Sequence, residues 1–176
     1  MKKSWIYLTN LVLFLGIVFS NANLVSAGYK TETCDNGSTK AECADWFTGD
    51  FDLEKDTDSW GNDYRINYDG AGVYWWEFTW DEPIQLMSPE VWVYLNETKF
   101  RADAMYMAKY DDSRFGTVMV GSIDQNTAPG GWNYIGEGEQ LGFGSNITTI
   151  YVYAFAGVDN DNLGADAVKV REETFE

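Results

Sequence analysis

From Val73 to Trp80 the side chains alternate strictly. Tyr74, Trp76, Phe78 and Trp80 fall on one face; Val73, Trp75, Glu77 and Thr79 fall on the other. An extended chain turns successive side chains to opposite sides of a sheet, so period two means strand. A wholly aromatic face belongs in a core, and the Glu/Thr face is then wet. The same period recurs in short runs separated by Gly, Asn and Asp. It predicts strands at 64–68, 73–80, 91–96, 103–110, 117–124, 132–136, 147–156 and 165–171. No stretch carries the 3.6-residue period of a three-turn amphipathic helix. About eight strands with Gly-rich turns predict an all-β chain: a jelly-roll-like antiparallel β-sandwich rather than α/β.

Alternation also assigns faces. Val91, Val93 and Leu95 read inward; Trp92, Tyr94 and Asn96 read outward. In 147–156, Tyr151, Tyr153 and Phe155 oppose Ile150, Val152 and Ala154. That strand is apolar on both faces, which places it centrally in its sheet. Asp166 shares a face with Val168 and Val170, and Lys169 and Arg171 lie opposite.

Composition narrows the chemistry. There is no His, which removes Ser-His-Asp, Cys-His and His-metal sites. Lys and Arg number 12 against 28 Asp and Glu, a net charge of −16. Such a chain lacks the cations that nucleic acid or an anionic membrane surface requires. At 45% apolar residues it is too hydrophobic to be a disordered acidic chain.

Residues 1–27 read as an export signal. Lys2 and Lys3 precede an apolar run from Leu11 to Phe19, and Val25-Ser26-Ala27 offers a small-residue cleavage site. Cleavage after Ala27 would leave 10 basic and 28 acidic residues, or −18, in a secreted, extracellular chain. The alternative is a retained anchor, for which the apolar run is short. No later stretch is long enough to span a membrane as a helix. The leader is bacterial in style, so Asn96-Glu97-Thr98 and Asn146-Ile147-Thr148 are not read as glycosylation acceptors. Residues 28–48 form a polar N-terminal arm, ahead of a sandwich domain at 49–176. In an exported chain the two cysteines, Cys34 and Cys43, most simply form one disulfide. Closing a loop of about ten residues stabilises by roughly 2.7 kcal/mol in the chain-entropy account. A redox pair would want Cys-x-x-Cys spacing, which is absent.

The aromatic residues, 16% of the chain, are the main functional lead. Sugars present apolar C–H faces that stack on Trp and Tyr, while carboxylates and amides take their hydroxyls. Trp75, Trp92 and Tyr94 are expected on outward faces; Trp60 and Tyr64 sit in a loop rich in Asp, Gly and Asn. The competing reading is that another layer, such as the arm, covers these rings. Trp132, after Pro129-Gly130-Gly131, reads as a fold determinant. No enzyme is expected. Glu77, Asp103, Glu137 and Glu139 can be nominated as acids, but among 28 acidic residues some pair always meets.

Ser122-Ile123-Asp124-Gln125 followed by Gly130-Gly131-Trp132-Asn133-Tyr134-Ile135-Gly136 resembles a strand pair of golvesin-type domains. These domains are also described as xanthan-lyase carbohydrate-binding-like. Gly164-Ala165-Asp166-Ala167-Val168-Lys169-Val170 resembles the closing strand of that family, and Asp63-Tyr64-Arg65 with Gly72 and Trp76 its opening. The resemblance covers roughly 50–171. It departs at Met87-Ser88-Pro89-Glu90, where the family has a Gly-Thr-Tyr turn. It implies a galactose-binding-like sandwich, usually an accessory module of secreted proteins.

Metal chemistry without His is limited to oxygen ligands, hence Ca²⁺. Asp56-x-Asp58-x-Trp60-Gly61 and Asp159-x-Asp161-x-Leu163-Gly164 both fail the fifth and twelfth positions of an EF-hand. By analogy with sugar-binding sandwiches, a structural Ca²⁺ would sit between Asp50, Asp52 and Asp166. The alternative is that Asp166 is hydrogen-bonded to backbone amides or to Arg65. The combined expectation is a secreted, non-catalytic module for a glycan or cell-surface polymer. The rivals are a matrix or surface protein that uses aromatic strands as an adhesive face, and a small secreted hydrolase.

Overall fold

The computed structural model describes residues 27–84, 88–139, 147–157 and 161–175. Tyr29–Thr174 is one compact unit; Met1–Gly28 with Phe175–Glu176 is another, described only at Ala27, Gly28 and Phe175. The export signal at 1–27, apart from Ala27, lies outside the described residues, as do Met87, Asn146 and Asp159.

The strands are β1 (Ala27–Asp35), β2 (Cys43–Thr48), β3 (Asp52–Lys55), β4 (Asp63–Asn67), β5 (Val73–Ile84) and β6 (Glu90–Leu95). They continue as β7 (Asp103–Tyr110), β8 (Thr117–Asp124), β9 (Gly131–Glu137), β10 (Ile147–Ala156), β11 (Leu163–Ala165) and β12 (Ala167–Phe175). One sheet runs β1-β12-β6-β9, a second β2-β5-β10-β7-β8, and a small third β11-β4-β3. Both large sheets interleave early and late strands, so the chain repeatedly crosses between them in jelly-roll style. The described pairings are antiparallel.

Apart from Asn96, which is buried, the predicted faces are the observed ones. Tyr74, Trp76, Phe78 and Trp80 are buried, as are Val91, Val93 and Leu95. β10 lies centrally, between β5 and β7, with Ile150, Val152 and Ala154 in the core. On β7 the inward row alternates small and large, Ala104, Tyr106, Ala108 and Tyr110, which lets it interdigitate with its neighbours.

The two sequence motifs near 122–136 and 164–170 are physically joined. Buried Gln125 donates from Nε2 to the Gly164 carbonyl at 3.0 Å and to the Tyr106 hydroxyl at 3.2 Å. Its Oε1 accepts from the Gly164 N–H at 3.1 Å. Asp124 closes the intervening turn through the Asn126 N–H and the Thr127 hydroxyl. A buried amide satisfied on both sides fixes the β8 end against β11.

The arm at 28–48 is itself two strands. β1 flanks β12 at the edge of one sheet, and β2 flanks β5 at the edge of the other. Cys34 and Cys43 are disulfide-bonded, with Cα atoms 5.4 Å apart. The last predicted run, 165–171, is divided at Asp166 into β11 and β12.

Candidate functional site

The outer face of the β1-β12-β6-β9 sheet gathers aromatic rings by register. Tyr94 stands opposite Trp132 and Trp92 opposite Tyr134 across β6 and β9, while Lys169 of β12 stands opposite Trp92. Tyr94 and Trp132 have ring centres 5.4 Å apart, and Trp92 and Tyr134 5.1 Å apart. Trp60 caps the row from a short 3-10 turn, 5.6 Å from Tyr94 and 5.1 Å from Trp132. Trp60 is 40% and Tyr134 47% exposed. The edge-on and tilted arrangements are those aromatic quadrupoles favour.

The Trp60 turn is held from below. Buried Ser59 accepts from Asn96 Nδ2 at 3.0 Å, and the Trp60 N–H donates to Asp166 Oδ2 at 3.2 Å. Gly61 has φ 71°, in the left-handed region that favours glycine, and a Cβ there would press on the Asp35 carboxylate. Beside Tyr94 opens a cleft of about 400 Å³ whose walls include Asp58, Asn96, Glu97 and Thr98. Aromatic stacking surfaces thus adjoin hydrogen-bonding groups.

Three of the expected ligand-binding residues, Trp60, Trp92 and Tyr94, meet on this face. Tyr64 does not. It is 3% exposed, edge-on to Phe100 with ring centres 5.3 Å apart, and is a core residue. It opens the predicted strand at 64–68, and its side chain takes the inward face of β4 rather than the loop surface. Trp75 lies on the outer face of the other large sheet. There register places Trp46, Trp75, Tyr153, Met107 and Met119 in one row across five strands. Asn96, read as outward, is buried because it holds Ser59. Trp132 and Tyr134 were not singled out as ligand residues. Their alternation with Asn133 on β9 was the available signal, weak because a motif Trp also serves packing.

Asp166 is buried as its register predicts, at 1% exposure. Its carboxylate takes the Trp60 backbone amide, and the acids facing it are Asp35 and Asp63, not Asp50 and Asp52, which are exposed. Arg65 instead places its guanidinium over the Phe47 ring, 5.3 Å from its centre. Oδ1 of Asp35, Oδ1 of Asn36 and Oδ1 of Asp166 are buried without a partner. Among the described residues no group of three acidic side chains is placed to hold a metal ion, so the Asp50, Asp52, Asp166 set does not fit Ca²⁺.

No family model and no curated protein matches this chain. Solved structures do. A Paenibacillus xanthan lyase matches with TM-score 0.56 and 21% identity over 80% of this chain. What is shared is the fold, a β-sandwich. The chain spans only 13% of that enzyme. The C-terminal family 22 carbohydrate-binding module of Clostridium thermocellum Xyn10B matches with TM-score 0.37 and 13% identity, over 79% of this chain and 87% of that one.

Proposed function

We propose that this chain is a secreted, non-catalytic module that binds a glycan or cell-surface polymer on the outer face of the β1-β12-β6-β9 sheet. The observation that carries the reading is the continuous ring surface of Trp60, Tyr94 and Trp132, partly exposed and bordered by the polar cleft. Sugar C–H faces stack on the rings, and Thr98 and the cleft carboxylates of Asp58 and Glu97 lie beside them for hydroxyls. The golvesin-type resemblance agrees with this reading, as does the fold shared with part of a xanthan lyase.

A second reading rests on the opposite face. The row Trp46, Trp75, Tyr153, Met107 and Met119 is apolar across a whole sheet, with Trp46 54% exposed, which suits protein contact. Co-sedimentation with insoluble polysaccharides and purified cell walls separates the two. Under the glycan reading the protein pellets with one polymer class and Trp92→Ala releases it. Failure to pellet with any polymer, together with self-association or capture of a protein partner, transfers the function to the second face.

A further inference from the structure

Within the ring surface, one cation, Lys169, forms no salt bridge among the described residues. Lys169 Nζ lies 4.7 Å from the centre of the Trp92 ring and 4.5 Å from that of Trp132. The π faces attract the ammonium and hold it in place, while removing part of its water. Among the described residues no carboxylate lies within 4.0 Å of it. Its neighbour on the strand, Arg171, is already committed: it bonds Glu90 at 2.7 Å and lies over the Tyr29 ring at 4.6 Å. Glu90 also accepts from Trp92 Nε1 at 3.1 Å, so its charge is met twice. Burial and repulsion from Arg171 outweigh the attraction of Glu90 and keep the Lys169 ammonium below the ordinary lysine range. An anion beside it would reverse that shift.

The other acids around the strip confine where an anion sits. Glu137 lies at the Glu90 end, where it accepts from the Tyr134 hydroxyl at 3.4 Å; Asp58 and Glu97 line the cleft at the Trp60 end. They repel a polymer charged along its whole length and leave one attractive position between them. A net charge of −16 acts in the same direction. The surface therefore matches a glycan with isolated carboxylates among neutral sugars.

We infer that Lys169 selects a carboxylate-bearing sugar, whose ring stacks on Trp92 or Trp132 while the ammonium bonds its carboxylate. This rests on the reading of the face as a glycan surface and names the ligand class: an acidic polysaccharide with widely spaced uronic or other carboxylated residues. A charge-assisted hydrogen bond in a partly dehydrated site is the strong kind, and salt screens it.

The test uses soluble polysaccharides that carry a carboxylate on one sugar of the repeat, each paired with its carboxyl-reduced form. Affinity is measured for the wild type, Lys169→Gln and Lys169→Arg, with thermal melting to confirm equal folding. The inference expects the carboxylated form to bind about tenfold more tightly, a preference lost in Lys169→Gln, kept in Lys169→Arg and weakened by salt. Equal binding of both forms, or a preference that survives Lys169→Gln, overturns it and leaves the stacking surface intact. Binding of neither form of any polymer overturns the glycan reading together with it.

Discussion

Asp166 shows how a single side chain carries both structure and pH response. Its carboxylate is buried, one oxygen holds the Trp60 amide, and Asp35 and Asp63 face it. Burial first, then repulsion from Asp35 and Asp63, raises its pKa to about 8. Burial and Asp63 likewise raise Asp35 to about 7. Groups whose folded pKa lies above the unfolded value of 3.8 favour folding when protonated. Their stabilisation is complete at low pH and is lost as pH rises through about 7 to 8. The carboxylates held low by partners, Asp56, Glu90 and Asp112, lose their own contribution only in more acidic solution. Melting temperature should therefore rise by several degrees as pH falls from 8 to 5.5, and Asp166→Asn should raise it at pH 8 and flatten the profile. A wild-type melting temperature that falls over that range contradicts this account. The register of Asp166 with Val168 and Val170 made its burial legible in sequence. Its companions were not, because Asp35 arrives from the end of β1 and no local pattern encodes that meeting. Tyr64 failed for the converse reason: it opens the predicted run 64–68, but its polar neighbourhood did not show that it takes the inward face of that short strand.

Strands carry the face. Each central strand announced itself by alternation, and β4 to β10 lie within a residue or two of the predicted runs, save that β5 extends to Ile84. The missed strands β1, β2 and β3 all lie at sheet edges. An edge strand buries less, so its sequence stays polar and the period is weak. Which outward rings come together depends on cross-strand register, which the sequence does not display; Trp92 and Trp75 look alike in pattern yet occupy opposite sheets. Trp132→Ala should accordingly lower glycan affinity about tenfold or more with a small change in melting temperature, whereas Trp75→Ala should leave affinity unchanged. The reverse result in the same titration would move the site to the other sheet. β11 offers a structural counterpart. A Cβ on Gly164 would lie 1.9 Å from Cγ of buried Phe100, and the Gly164 backbone is committed to Gln125. Gly164→Ala should therefore destabilise by about 1–3 kcal/mol in urea unfolding, the range of core overpacking.

At the scale of the whole molecule, the disulfide joins the two halves of the sandwich. Cys34 lies on β1 and Cys43 begins β2, strands that belong to different large sheets. Both sulfurs are buried, and the Asn36 N–H beyond Cys34 bonds the Asp166 carbonyl at 3.0 Å, beneath the Trp60 turn. The bond was legible from the count of two cysteines and the expected export signal, and the arm read as polar. It did not show that the arm completes both sheets, since two short polar runs are ambiguous until their partners are known. This distinction has a measurable consequence. A staple on an appended arm would leave the sandwich unaffected when cut. A staple between sheets constrains the unfolded chain of the sandwich itself, by roughly 2.7 kcal/mol for this loop length. The Cys34→Ser, Cys43→Ser double variant should then melt about 5–10 °C lower in a single cooperative transition, using the usual dependence for domains of this size. It should also lose affinity for the polymer at temperatures where the parent remains folded. Calorimetry of the two proteins decides: an unchanged midpoint, or a separate minor transition ahead of an unchanged main one, would show that β1 and β2 are appended to the core rather than part of it.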